Sequence, residues 1–229
     1  MKEELVVATE NKKEELVVAT ENKKKLDEIK EILKGIDLEI TSLINYPQAP
    51  RIIENGKTFK ENAIKKSVKI ARFTKKLTLG EDSGLCVDAL EGRPGIYSSR
   101  FAGKDKSDLR NNLKLLKLLE GLPLNKRKAH YICAVALADK EGLVGVAEGK
   151  CNGLIGFKLQ GHFGFGYDPL FIPHLSEFPK GLLKGKGAGF IIPKYQKTFA
   201  QLGPRIKHKM SHRYRALEKA KKIIQKYIE

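Results

Sequence analysis

Two adjacent carboxylates followed by a hydroxyl and a glycine, Glu81-Asp82-Ser83-Gly84, are the most reactive-looking run in the sequence. Read as the end of a short strand over 77–80, the pair suits a hard cation such as Mg²⁺, which takes a few carboxylates together with water or phosphate oxygens. The glycine beside them allows a phosphate to approach closely. An acidic turn has the same composition, so the tetrad alone does not separate the two readings. A second run, Thr20-Glu21-Asn22-Lys23-Lys24-Lys25, opens a helix directly after a strand. Backbone N–H groups at a helix start, with hydroxyl and ammonium donors beside them, make an anion site. Three lysines there oppose the helix dipole, which calls for a reason.

Two further runs stand out. Gly164-Phe165-Gly166-Tyr167-Asp168-Pro169 places two aromatics and a carboxylate in a glycine-rich turn, suited to stacking on a base or to capping a core. Ser211-His212-Arg213 starts the last helix, with Ser211 as N-cap and two donors that can meet a carbonyl oxygen. Arg213 is expected at an exposed helix start, where its removal would leave the fold intact. No Walker P-loop, HExxH zinc helix or GxSxG elbow occurs.

The elements that must position these runs alternate between helix and strand. Leu26, Ile29, Ile32 and Leu33 keep helical spacing after a strand near residue 15, with Asn22 as N-cap and Gly35 as stop. Thr58 to Glu61 reads as a capping box ahead of a helix face made by Ala63, Ser67, Ile70 and Ala71. A third helix starts near Ser107-Asp108 and is expected to bury Leu109, Leu113 and Leu116. Residues 130–138 read as a strand covered on both faces, turning at Asp139–Gly142 into a strand near 143–148. The last helix, over 212–228, has Ala216, Leu217, Ala220, Ile224 and Ile228 as its stripe. This is a mixed-sheet α/β chain.

The chain has 229 residues, 41% hydrophobic and 31% charged, the profile of a globular protein rather than a disordered one. No apolar run approaches the length of a membrane span, and the acidic N-terminal flank does not read as a secretory signal. Cys86, Cys133 and Cys151 show no CxxC spacing, which fits a reducing cytoplasm. The net charge is +17, and residues 174–229 alone hold 14 Lys or Arg against three Glu. A polyanion is the expected partner, either nucleic acid or a nucleoside phosphate.

Seven motifs in order make the chain resemble the inosine triphosphate pyrophosphatase family. They are ATENKKK at 19–25, ENGKTFKENAIKKS at 54–67, GEDSGLCVDAL at 80–90, GRPGIYSSRF at 92–101, GFGYDPLFIP at 164–173, KTFAQL at 197–202 and SHRYRAL at 211–217. The resemblance implies a mixed twisted sheet flanked by helices, two lobes with the active-site cleft between them, and a cytoplasmic homodimer. It implies Mg²⁺-dependent cleavage of ITP, dITP and XTP between the α and β phosphorus atoms. Asp82 becomes metal ligand and general base, with Glu54 and Glu81 as further metal carboxylates. Thr20, Asn22, Lys25, Lys66 and Lys207 match phosphate-holding positions, within an anion-binding helix start that includes Glu21, Lys23 and Lys24. Ser83 matches a substrate contact. Phe165, Gly166, Tyr167 and Asp168 match the nucleoside cradle, and His212 and Arg213 the pair that reads the purine 6-oxo group.

Three departures accompany the match. KEELVVATENK at 2–12 recurs at 13–23, so 1–12 is expected to be an appended arm on a single domain spanning 13–229. The first copy leads into Glu14, where the family has lysine. Residues 174–193 form an insertion, and Gln201 replaces a glutamate. A basic nucleic-acid-binding protein is the rival class, opposed by the carboxylates Glu54, Glu81 and Asp82 and by the lack of a nucleic-acid-binding motif. A pyrophosphatase for modified pyrimidine nucleotides is the rival within the fold, and the SHR run at 211–213 favours purines.

Overall fold

The computed structural model describes residues 14–179 and 197–229. The first repeat copy and most of the 174–193 insertion lie outside the described residues. Six strands form one sheet in the order β2-β1-β3-β4-β5-β6. They are β1 (Glu15–Val18), β2 (Glu39–Ser42), β3 (Leu77–Val87), β4 (Lys128–Ala138), β5 (Leu143–Ile155) and β6 (Phe171–Pro173). β1 runs parallel to both β2 and β3, and the remaining pairs are antiparallel. The helices are α1 (Lys23–Ile32), α2 (Phe59–Thr74), α3 (Asp108–Leu118), α4 (Phe199–Leu202), α5 (Pro204–Lys207) and α6 (His212–Ile228). The mixed α/β sheet expected from the sequence is therefore present.

β1 belongs to the second repeat copy, and Asn22 caps α1 by accepting from Lys25 N–H at 3.1 Å. Thr58 caps α2 by accepting from Glu61 N–H, while the Glu61 carboxylate accepts from Lys57 N–H. Asp139 closes the β4–β5 hairpin by accepting from the N–H groups of Glu141 and Gly142.

Three expectations need correction. β3 runs 11 residues rather than stopping at 80, so the carboxylate tetrad sits inside the strand. Helix α3 turns Asn111, Asn112 and Leu115 inward, leaving Leu109 and Leu113 more than half exposed. Its leucines form two stripes, and the inward one was hidden by the asparagines. Ile228, at the end of α6, is 37% exposed, although Ala216, Leu217, Ala220 and Ile224 are buried as expected.

Two of the apolar clusters among the described residues occupy opposite ends of the long strands. One gathers Leu16, Val18, Ile29, Leu79, Val135, Leu217 and Ile224 between α1, α6 and the sheet. The other gathers Leu85, Leu115, Leu119, Tyr131, Phe171 and Phe199. The middle of β3, from Glu81 to Ser83, lies between them. On the other face α2 packs so closely that a Cβ on Gly80 would stand 2.2 Å from the Ala63 carbonyl oxygen and 2.7 Å from Ser67 N. A side chain there must push the helix off the strand. Gly80→Ala is expected to destabilise the fold by about 1–3 kcal/mol, read as a lowered urea midpoint with unchanged slope.

Candidate active site

The site lies where β1 ends and β3 continues. Val18 pairs with Leu79, and Ala19 N–H donates to the Leu79 carbonyl, after which that edge of β3 has no strand beside it until Cys86 bridges to Pro94. A cleft of about 780 Å³ fills the vacated position. Open α/β sheets present ligands at the C-terminal ends of parallel strands in this way. Sixteen predicted site residues line the cleft: Thr20, Glu21, Asn22, Lys25, Glu54, Lys66, Glu81, Asp82, Ser83, Phe165, Gly166, Tyr167, Asp168, Lys207, His212 and Arg213. Lys23 and Lys24 do not line it; both are exposed on the first turn of α1.

Strand alternation separates the two acids. Consecutive side chains of a strand point to opposite faces, so Glu81 turns toward α1 and α6 while Asp82 turns toward α2. The pair adjacent in sequence is therefore not a side-by-side chelate, and the tetrad lies inside a strand rather than at a strand end or in a turn.

On the α2 side, Asn62 Nδ2 donates to Asp82 Oδ2 at 2.9 Å. Lys66 Nζ joins three acceptors: Glu54 Oε1 at 2.7 Å, the Glu81 carbonyl at 2.9 Å and Asp82 Oδ1 at 3.4 Å. Asn62 and Lys66 are four residues apart, one turn of α2, and thus share a face. Burial pushes the Asp82 carboxyl up, against the pull of Lys66 and Lys25. Burial also acts on Glu54, but Lys66 outweighs it and holds that carboxyl below its usual range.

On the opposite face Glu81 is held by Lys25 Nζ at 2.7 Å and by Arg213 Nη2 at 3.0 Å. Its burial would raise its pKa, yet the two cations keep it ionised well below the ordinary range. Arg213 also donates from Nη2 to Ser83 Oγ at 3.0 Å and from Nη1 to Glu28. Lys207 Nζ bridges Glu28 and Asp168, at 2.7 Å each. The resemblance places Lys207 with the phosphates; the structure puts its ammonium 4.8 Å from the Phe165 ring centroid, beside Arg213 at 5.5 Å. Asp168 anchors its own turn by accepting from Phe165 N–H, and packs where a Cβ on Gly164 (φ +79°) would stand 2.0 Å from Asp168 Oδ2. His212 stacks on Tyr131 at 4.4 Å and 8°, and burial with the nearby Arg213 and Lys207 keeps it neutral.

Arg213 is thus not at an exposed helix start. Its side chain is 2% exposed, because the first turn of α6 is driven into the sheet where Gly149 admits it. Glu28 and Asn62 escaped the sequence reading. The signal for Glu28 was its spacing: Lys25, Glu28, Ile29 and Ile32 fall on one inward face of α1.

Most of the sequence matches known proteins. Residues 16–223 match the Ham1 family. The chain belongs to the Ham1 family. A dITP/XTP pyrophosphatase of Desulforamulus reducens is 44% identical over 221 residues, covering 96% of this chain and 95% of that protein. A dITP/XTP pyrophosphatase of Shouchella clausii is 41% identical, covering 97% and 96%. The Ham1 protein of Staphylococcus aureus superposes with a TM-score of 0.75 at 33% identity, over 93% of this chain and 100% of that one. A HAM1 protein from Coxiella burnetii gives 0.76 at 33% identity, over 93% and 99%.

In this Ham1-family chain the residues that suit a hard cation are Glu54 and Asp82, oxygen donors facing each other across the Lys66 ammonium. Among the described residues no three His, Cys, Asp or Glu side chains group closely enough to hold a metal unaided. Water or phosphate oxygens would complete the shell, as Mg²⁺ prefers. No helix among the described residues is long and apolar enough to cross a membrane.

Arg213 supports two buried carboxylates at once. Arg213→Ala is expected to cost about 3–5 kcal/mol, because Glu28 and Glu81 would be left buried with fewer partners. Equilibrium urea unfolding checks this, and a loss below 1 kcal/mol would mean the network carries little of the fold.

Proposed function

We propose that this protein hydrolyses dITP, XTP and ITP to the monophosphate and pyrophosphate, clearing non-standard purines from the nucleotide pool. The observation that carries the base preference is a pair of buried nitrogens, Arg213 Nε and His212 Nδ1, without a hydrogen-bond partner among the described residues. Both residues line the cleft, with Arg213 over the Phe165 ring and His212 stacked on Tyr131. Orphaned polar atoms of this kind are expensive to bury, and a purine 6-oxo group would satisfy them. Adenine presents an amino group there, which leaves the Arg213 N–H facing another donor, and sites built for a carbonyl reject such an analogue strongly. The named activity of the relatives points the same way.

The chemistry follows from the opposite end of the cleft. Water attacks the α-phosphorus, its proton passes to Asp82 Oδ, and the α–β bridging P–O bond breaks with its electron pair leaving on pyrophosphate. Asp82 suits the task because burial raises its proton affinity and Asn62 fixes its orientation. Lys66 and Lys25, both at the cleft, are the ammonium groups placed to turn toward the phosphates. Mg²⁺ held by Glu54 and Asp82 would neutralise polyphosphate charge and acidify water. The cleft supports such a cation electrostatically: its lining carries Lys25, Arg51, Lys66, Arg100, Lys106, Lys207 and Arg213 against Glu21, Glu54, Glu81, Asp82, Asp108 and Asp168. That near balance leaves most of a triphosphate's charge to be offset by something else.

A cytoplasmic location is proposed from three buried cysteines, all free. A homodimer is proposed from the family resemblance, and light scattering on the purified chain would test it.

Pyrophosphate release from dITP, XTP and dATP, with and without Mg²⁺, tests the function. Turnover of dITP and XTP well above dATP, dependent on Mg²⁺, is expected; equal use of dATP would overturn the base assignment. Asp82→Asn should lower kcat by roughly 10²-fold or more with the thermal midpoint retained.

A further inference from the structure

Three of the four lysines that line the cleft are already engaged. Lys25 pairs with Glu81, Lys66 with Glu54 and Asp82, and Lys207 with Glu28 and Asp168. Arg100 lines the same cleft and forms no ion pair among the described residues. Arg51 and Lys106 share that freedom, but both are exposed, whereas Arg100 is half-buried. Its guanidinium lies 5.0 Å from the Tyr97 ring centroid, supported from one side by an aromatic face.

The backbone around Arg100 is held with unusual completeness. The buried Asn111 of α3 accepts from Ala102 N–H at 2.7 Å and donates to the Ser99 carbonyl at 3.1 Å, so one amide brackets Arg100 on both sides. Tyr167 OH donates to the Ser98 carbonyl at 2.9 Å, and Lys114 Nζ to the Phe101 carbonyl at 2.6 Å. Ser98 Oγ accepts from Leu85 N–H and donates to the Gly95 carbonyl. A Cβ on Gly84 would stand 2.5 Å from both Gly95 O and Ser98 Oγ, so the 95–100 turn sits directly on β3, two residues beyond Asp82. Ordering a long cationic side chain costs conformational entropy, and no ion pair among the described residues repays it.

We propose that Arg100 is a substrate-binding residue for the pyrophosphate half of the triphosphate, engaging the departing diphosphate. This rests on the hydrolase reading above. Contacts order the cleft from Phe165 through Arg213, Glu81 and Lys66 to Glu54. With the base at the Phe165 end, the outer phosphates lie beyond Asp82, beside Glu54. Arg100 lines that end of the cleft from the 95–100 turn, which packs on β3 two residues beyond Asp82. A planar guanidinium matches phosphate oxygens two at a time. As the bridging bond breaks, its electron pair stays with the diphosphate, and a fixed cation there stabilises the developing charge.

The test uses the full chain with Mg²⁺ and reads binding by calorimetry, independently of turnover. Arg100→Gln should weaken inorganic pyrophosphate by about tenfold or more, the effect of losing a charged hydrogen-bond partner, and leave inosine monophosphate unchanged. Arg100→Lys should fall between Gln and the parent, and the KM for dITP should rise in the same order. The thermal midpoint should hold, because Asn111 rather than Arg100 fixes the turn. Unchanged pyrophosphate affinity in Arg100→Gln overturns the proposal, as does an equal loss for inosine monophosphate or a parent that binds no pyrophosphate. A parent that binds pyrophosphate but does not hydrolyse dITP overturns the hydrolase reading instead.

Discussion

The alternation of a β-strand is the constraint on which this site depends. Because successive side chains leave β3 on opposite faces, two neighbouring acids serve two unlike environments. Asp82 enters the cluster made by α2, where Asn62 and Lys66 wait one helical turn apart. Glu81 enters the cluster made by α1 and α6, where Lys25 and Arg213 neutralise it. The early end of β1 then lets both environments open on one cleft. A strand one residue out of register would exchange the two acids and empty both clusters of their partners.

The ion pairs behind the cleft form a second level of order. Glu28, Glu81 and Asp168 are all buried, and each is held by Lys25, Lys207 or Arg213. Such pairs are expensive to desolvate and add little net stability compared with apolar packing. What they do here is fix direction. Glu28 and Glu81 grip the two terminal nitrogens of Arg213, so its Nε is left in a set orientation beside Phe165. Tyr131 does the same for His212 by stacking.

Much of this was legible in the sequence, and the failures share a cause. Helix starts at Asn22, Thr58 and Ser211 were readable because capping is local chemistry. The acidic tetrad stands out in the sequence but reads as a strand end, since Gly80 and Gly84 interrupt the apolar run that marks a strand. Those glycines answer to backbones packed on them from α2 and from the 95–98 turn, which are distant in sequence. The inward face of α3 was misread for the same reason: Asn111 and Asn112 are buried because they bond to Ser99, Ala102 and Gly166. Arg213 looked like a surface residue because only its tertiary partners, Glu28 and Glu81, make its burial tolerable. Local signals were visible, and partnerships across the fold were not.

The internal pairing of Lys25 and Lys66 bears on competition among nucleotides. The triphosphate is common to every member of the pool, so affinity for it cannot distinguish a damaged purine from an intact one. Free lysines at that end would let the abundant ordinary nucleotides occupy the cleft and block it. With both of these ammonium groups already holding carboxylates, a triphosphate must displace an existing partner before it gains either of them. The shared part of the ligand is thereby made weakly rewarding, and the difference in affinity that constitutes specificity is left to the base. A resting site whose lysines are already paired is, on this account, how an enzyme for rare substrates limits its occupancy by common ones.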